Sequence, residues 1–364
     1  MSGDLEGVIV IILRVILGVV GVGIVLWILL SVLRTVVIPR PERVALAGAV
    51  LSLVRLLGSV VLCFARSTTT RDRIRGAYGP ISLITLPVVW SVAIVSGFAL
   101  IFHALGTTPW QDTLSLSASS ITTLGFVAPD NTIMRLVASV EALIGLGIVA
   151  LMISFLPTIY SAFARREAAI AHLTVRAGDP PHPAPFLERA YAIGELGPEG
   201  GSRLKQRWTS WEEWFVDVGE THTTFPALVF FGSARGHRSW LNAAETALDT
   251  AALMHALGYG TTNAAHETMI RAGYLTLRDI GDFFEIEHDP RPSPTDPISI
   301  DREMFDELVG ELDSLGLERT DDLDAAWQSF SGWRVNYDSV LTGLTEMIEA
   351  PPSHWERPPW RSQS

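Results

Sequence analysis

Residues 108–131 read TPWQDTLSLSASSITTLGFVAPDN and lie between two long apolar segments. The opening has the marks of a helix start: Thr108 as N-cap, Pro109 at the first helical position and Gln111 at the capping-box position. The pattern predicts a short helix to about Ile121. Its end delivers Thr122, Thr123, Leu124, Gly125 and Phe126 as near-extended backbone. At membrane depth, irregular backbone is tolerated only where protein buries it or a water-filled path runs beside it. The partial negative charge at a helix C-terminus favours a cation there. A short helix that dips into a bilayer and ends in a Thr/Gly turn therefore fits an ion filter.

The stretch resembles the loop of the potassium channel pore family, whose pattern is T-T-x-G-Y/F-G-D, including prokaryotic two-pore-type ion channel proteins. Thr122, Thr123, Gly125 and Phe126 carry the match, which spans about residues 80–164. The resemblance implies an outer helix, a pore helix, a filter of backbone carbonyls and an inner helix, with four chains around one axis. The permeant ion would be K+ or another monovalent cation, with no bound cofactor. Two positions depart from the pattern. Val127 stands where the family has its second glycine and Ala128 where it has aspartate, which puts selectivity in question. A β-branched residue reaches positive φ only under strain.

Around this loop, residues 81–105 read as the outer helix, with Pro87 as a kink, and residues 133–163 as the inner helix. The inner helix holds Gly145 and Gly147, then Pro157. The resemblance implies a gating hinge at such glycines; close helix packing is the alternative. Glu141 is the one acid deep in this helix, and an ionisable residue at that depth is a functional candidate. It would brace the loop by accepting hydrogen bonds. Asp130 and Asn131 fall at the outer mouth, where four copies of Asp130 would concentrate cations; solvated loop residues are the alternative.

Toward the N-terminus, residues 8–33 form one apolar span interrupted only by Arg14. They are too long for a signal-peptide core and no small-residue cleavage site follows. The VGVGIV run with Gly21 and Gly23 follows no strand, so it reads as helix packing rather than a nucleotide loop. Pro39 and Pro41 end this helix among Arg34, Arg40 and Arg43. Residues 44–65 are apolar enough to span, yet Gly48, Ser52, Arg55 and Ser59 form a small, polar stripe. With the Arg165–Arg166 pair and the arginines of residues 66–79 placed in the cytoplasm, residues 44–65 fit best as an amphipathic helix on the inner surface. Three spans are thus preferred, with four as the alternative.

Charge divides the chain. Its 364 residues carry a formal charge of −12 and a mean hydropathy of +0.30. Up to Arg166 there are 12 arginines and 7 acids, net +5; the rest holds 15 basic and 32 acidic residues, net −17. The acidic half argues against nucleic-acid partners. Membrane lipid and further copies of the chain, as a homotetramer, are the expected partners, and any cytoplasmic ligand stays unidentified. A single cysteine, Cys63, excludes an intramolecular disulfide. Scarce lysine among abundant alanine and arginine points to a GC-rich bacterial genome.

Three regions follow: 1–78, an N-terminal membrane helix and an interfacial or second spanning helix; 79–166, the pore module; 167–364, an acidic helical cytoplasmic domain. In the last, helices are expected at about 203–218, 239–257, 263–284, 301–315 and 321–348, with a strand signal at 228–231 and loops at 177–185, 197–201 and 287–297. Trp208, Trp211, Trp214 and Phe215 share one helix face and read as core. Glu220 and His222 suggest a small polar site or a loop cap. No H-x-x-x-H spacing appears, so no metal site is expected, and no catalytic constellation or Gly-rich Rossmann turn is visible. The fold class is an all-α membrane protein. The function expected is a passive cation channel gated through the domain, not an enzyme. A non-conducting receptor that keeps the pore fold is the alternative.

Overall fold

The computed structural model describes residues 2–37, 45–65, 67–107, 109–197, 199–233, 235, 238–260, 264–314 and 316–356. Thr108, Pro39, Arg40, Pro41, Arg43 and Arg66 lie outside them. Among the described residues the chain is all helical, with no strand. Four helices are long and apolar enough to cross a membrane: Glu6–Val36, Ala45–Phe64, Tyr78–Ala104 and Thr132–Ala177. Each meets the roughly 20 residues that a 30 Å hydrocarbon layer requires. The chain forms two compact units, one of Met1–Arg55 with Pro80–Tyr160 and one of Leu56–Gly79 with Ser161–Ser364.

In the first unit, α1 (Ser2–Val32) runs into a π-helical turn and lies antiparallel to α4 (Tyr78–Ala104). The pairing is tight because of small residues. A Cβ on Gly18 would meet Ala104, and one on Gly21 would come within 2.5 Å of the Gly97 carbonyl oxygen. Further along, the Trp90 indole donates to Ser31 Oγ at 3.3 Å. Gly23, by contrast, meets nothing within 4 Å. The buried row of α4, Leu86, Trp90, Ile94, Phe98 and Phe102, repeats every four residues. Much of the remaining apolar surface is exposed, including Val92 on α4 and Leu143, Leu146 and Ile153 on α6 (Thr132–Ala177). Such surface suits lipid or neighbouring chains. Helices α2 (Ala45–Phe64) and α3 (Thr68–Gly76) follow α1, so the loop expected over 66–79 is largely helical.

The second unit is built on α9 (Trp240–Leu257), in which every residue except His255 is buried. A helix surrounded on all sides must be apolar or have its polar groups paired. The helices α7 (Pro183–Ala192), α8 (Gly201–Thr224), α10 (Ala264–Phe284), α11 (Arg302–Asp313), α12 (Leu323–Arg334) and α13 (Asp338–Ile348) belong to the same unit, as do residues 56–79 and the part of α6 from Ser161. As expected, Trp208, Trp211, Trp214 and Phe215 are core, and Trp211, Trp214 and Phe215 form a mutual aromatic cluster.

Four local expectations are corrected. The strand signal at 228–231 is a 3-10 turn, Pro226–Phe230. The loop expected over 177–185 is confined to residues 178–182, because α7 starts at Pro183, with N-cap His182 accepting from Ala184 N. The helix expected over 321–348 is two, α12 and α13. The inner helix does not stop at 163 but runs unbroken to Ala177.

Candidate functional site

The short helix expected after Thr108 is α5 (Trp110–Ile121). Pro109 is its N-cap rather than its first helical residue, with extended φ and ψ. The face turned inward carries Thr113, Leu116, Ser117 and Ser119, so the serine-rich sequence buries hydroxyls. Each finds a partner. The Ser117 hydroxyl lies 3.0 Å from the Val95 carbonyl of α4 and also contacts Glu141 Oε1 of α6. Glu141 therefore joins α6 to the short helix, not to the turn after it. Its other oxygen, Oε2, is buried without a hydrogen-bond partner among the described residues.

The turn after α5 differs from near-extended backbone at its start. Thr122 is αR and Thr123 has φ +56°. Thr123 N–H donates to Ser120 O at 3.0 Å and Leu124 N–H to Ser119 O at 3.1 Å. That pattern is a Schellman motif, with threonine at the left-handed position where glycine is usual. A β-branched residue there costs on the order of 1–2 kcal/mol. The motif's glycine, Gly125, also has positive φ, +67°. Val127 does not, so the strain foreseen at that position falls on Thr123 instead.

Ser119 organises the whole turn. Its carbonyl accepts from Leu124 N–H and, at 3.4 Å, Gly125 N–H, while its Oγ accepts from Val127 N–H at 3.1 Å. Thr122 N–H goes to Ala118 O. The backbone donors of Thr122, Thr123, Leu124, Gly125 and Val127 are thus turned in toward the helix end. Among the described residues, no hydrogen bond reaches the carbonyls of Thr122, Thr123, Leu124, Gly125, Phe126 or Val127. Ser119 was missed in the sequence because a serine inside a helix usually bonds back to its own turn.

Beyond the turn, Ala128 and Asp130 are exposed, and Asn131 caps α6 by accepting from Met134 N–H at 2.9 Å. Arg135 reaches back to the Pro129 carbonyl at 3.4 Å, next to Asp130 in the chain. Gly145 is a close-packing glycine: a Cβ there would lie 2.2 Å from the Ile121 carbonyl oxygen at the end of α5. Gly147 faces open space.

The second unit holds two buried polar hubs. Arg166, in the last turns of α6, is 1% exposed. Its Nη1 donates to Leu228 O at 2.9 Å and lies 3.1 Å from His222 Nε2. Its Nη2 donates to Phe231 O at 2.6 Å and to Glu167, which Nε also reaches. All five guanidinium hydrogens are used. Because arginine only donates, His222 Nε2 must accept, leaving its proton on Nδ1. Burial, with the neighbouring Arg166 charge, holds the His222 pKa well below 6.5. The polar pair expected from Glu220 and His222 is not formed: Glu220 is exposed and His222 buried.

The other hub is Arg334. It meets Asp249 at 2.5 Å, Glu245 at 3.0 Å and Asp338 at 2.8 Å. Tyr337 and Trp355 also donate to Asp249, at 2.7 and 2.6 Å. Burial opposes ionisation of Asp249, but the Arg334 charge overrides it and the pKa lies at about 2. Burial and the Asp249 charge push Tyr337 well up. This network fastens α9 to α12, α13 and the segment after them, where the buried ring of His354 stands with Nε2 3.3 Å from Asp249.

No family model, curated protein or solved structure matches this chain.

Proposed function

We propose that this chain is one subunit of a tetrameric, passive cation channel whose filter is the backbone of residues 122–127. One observation carries the reading: five N–H groups of this turn, all but that of Phe126, bond into the α5 end while its carbonyls accept no hydrogen bond among the described residues. A carbonyl left open at membrane depth needs water or a cation. One such loop cannot enclose an axis, so four copies surround it. K+ is the expected permeant ion, and Val127 and Ala128 set how selective the passage is.

A three-span topology supports this arrangement. The register of α1 on α4 puts the end of α1 and the start of α4 toward one membrane face. Seven residues separate Val37 from Ala45, a reach of at most about 29 Å over eight steps, short of the hydrocarbon thickness of roughly 30 Å. Helix α2 therefore starts on that face. Gly58 packs on the Tyr78 ring at the first turn of α4, which returns the far part of α2 there too. An α2 lying along the surface satisfies both ends, and the positive-inside bias applied to Arg165 and Arg166 makes the acidic domain that follows them cytoplasmic in this reading.

The test is the reversal potential of purified protein in a planar bilayer, with K+ on one side and Na+ on the other. A shift toward the K+ equilibrium value is expected. Current reversing near zero would replace K+ selectivity with a general cation pore. Silence across pH and Ca2+ would overturn conduction and favour a receptor.

A further inference from the structure

We infer that His255, His266 and Glu267 form a site for one divalent transition-metal ion, of which Zn2+ is the best-fitting. The side chains come from two helices. His255 is in the last turn of α9, while His266 and Glu267 are in the first turn of α10. One ligand atom from each lies within 4.8 Å of the other two. His255 Nδ1 and His266 Nε2 stand 3.2 Å apart.

That spacing matches the chemistry of a shared ion. Zinc binds imidazole nitrogen at about 2.0–2.1 Å, so tetrahedral ligands stand roughly 3.3 Å from one another. A neutral imidazole carries one protonated nitrogen, and both facing nitrogens can offer lone pairs to one cation. Glu267 adds a negative charge, while the partial negative charge at the end of α9 and the partial positive charge at the start of α10 offset each other. His266 is buried, His255 half-buried and Glu267 exposed, so the site has a dry base and an open mouth. Trp333 stands beside the site, edge-on to His255 with ring centroids 5.7 Å apart. Two histidines and a glutamate with a side open to water leave a coordination position for solvent or a further ligand. A hard cation such as Ca2+ or Mg2+ would prefer an all-oxygen set.

The sequence hid this grouping because its histidines stand eleven positions apart, at the ends of separate helices. Bound there, the ion clamps α9 to α10 and makes the stability of the unit depend on free Zn2+. The inference does not need the pore to conduct.

The test uses untagged full-length chain in detergent micelles, since a polyhistidine tag would bind the same metals. After chelator treatment, Zn2+ incubation and desalting, elemental analysis reads stoichiometry and X-ray absorption reads the ligands. The expected result is about one Zn2+ per chain with scattering from two imidazoles at about 2.0 Å. At a hundredfold excess over Kd the melting temperature should rise by about 5–10 °C. The double variant His255→Gln with Glu267→Gln should weaken binding by more than the roughly 10–100-fold typical of an outer-shell loss. Both positions reach the surface, so the variant should fold, and His172→Gln should bind as the parent does. Less than about 0.1 equivalents in the parent, or an unchanged Kd in the double variant, would overturn the site.

Discussion

Replacing Arg166 by methionine should destabilise the second unit more than any other single change in the membrane-proximal part of α6. The side chain is fully buried and spends all five hydrogens. Methionine fills most of its volume but donates nothing, so the carbonyls of Leu228 and Phe231 lose their partner in a dry setting. Each orphaned acceptor costs about 1–3 kcal/mol. Against this, the buried guanidinium no longer has to be desolvated, which returns part of the loss. A net of about 2–5 kcal/mol remains, or a fall in melting temperature of roughly 5–15 °C for a unit of this size. Eight of the eleven tryptophans lie after residue 207, so intrinsic fluorescence during denaturation of the full chain in micelles reports on this unit. Arg166→Lys, with three donors in no fixed fork, should fall between the two. A stability for Arg166→Met within about 0.5 kcal/mol of the parent would refute the assignment of Arg166 as a hub.

Two further expectations concern protonation and packing. His222 stays neutral when folded but protonates near pH 6.5 once unfolded, so its contribution is intact above pH 6.5 and lost as pH falls below it. The groups facing it are Arg166 from α6, Thr221 beside it and Trp240 from α9. Parent and His222→Gln stability curves should therefore diverge by about 1 kcal/mol between pH 6.5 and 5.5; parallel curves would contradict the neutral tautomer. In α6, Gly145→Ala should cost about 1–3 kcal/mol because Ile121 cannot retreat, whereas Gly147→Ala should be neutral or gain up to about 1 kcal/mol. Unfolding in a denaturing detergent series distinguishes them, and equal effects would refute the packing role given to Gly145.

The sequence made the apolar helices legible because a span needs only local composition. The aromatic face of α8 was legible for a similar reason, since its spacing alone predicts a shared side. What depends on distant partners was not. Residues 228–231 carry Leu, Val and two Phe, the chemistry of a strand, yet their shape is a 3-10 turn whose carbonyls are held by Arg166. The separation of α12 from α13 falls where Arg334 and Tyr337 both reach Asp249 of α9, a demand no window around residue 335 contains. At the turn after α5, the positive φ of Gly125 follows from its identity. Thr123 breaks the rule, and local propensity alone would have put glycine there.

Arg166 also has a history within each molecule. It leaves the ribosome at the end of a membrane helix, while Leu228 and Phe231 follow 62 and 65 residues later. At about 5–20 residues per second, some 3–13 s pass before its acceptors exist. During that interval, in the proposed topology, it is an uncovered cation beside the bilayer and helps Arg165 fix which end of α6 stays inside. Folding of the domain then withdraws the charge from water. One arginine thus orients the nascent chain first and seals the finished domain afterwards, so its replacement would act on insertion and on stability at separate moments.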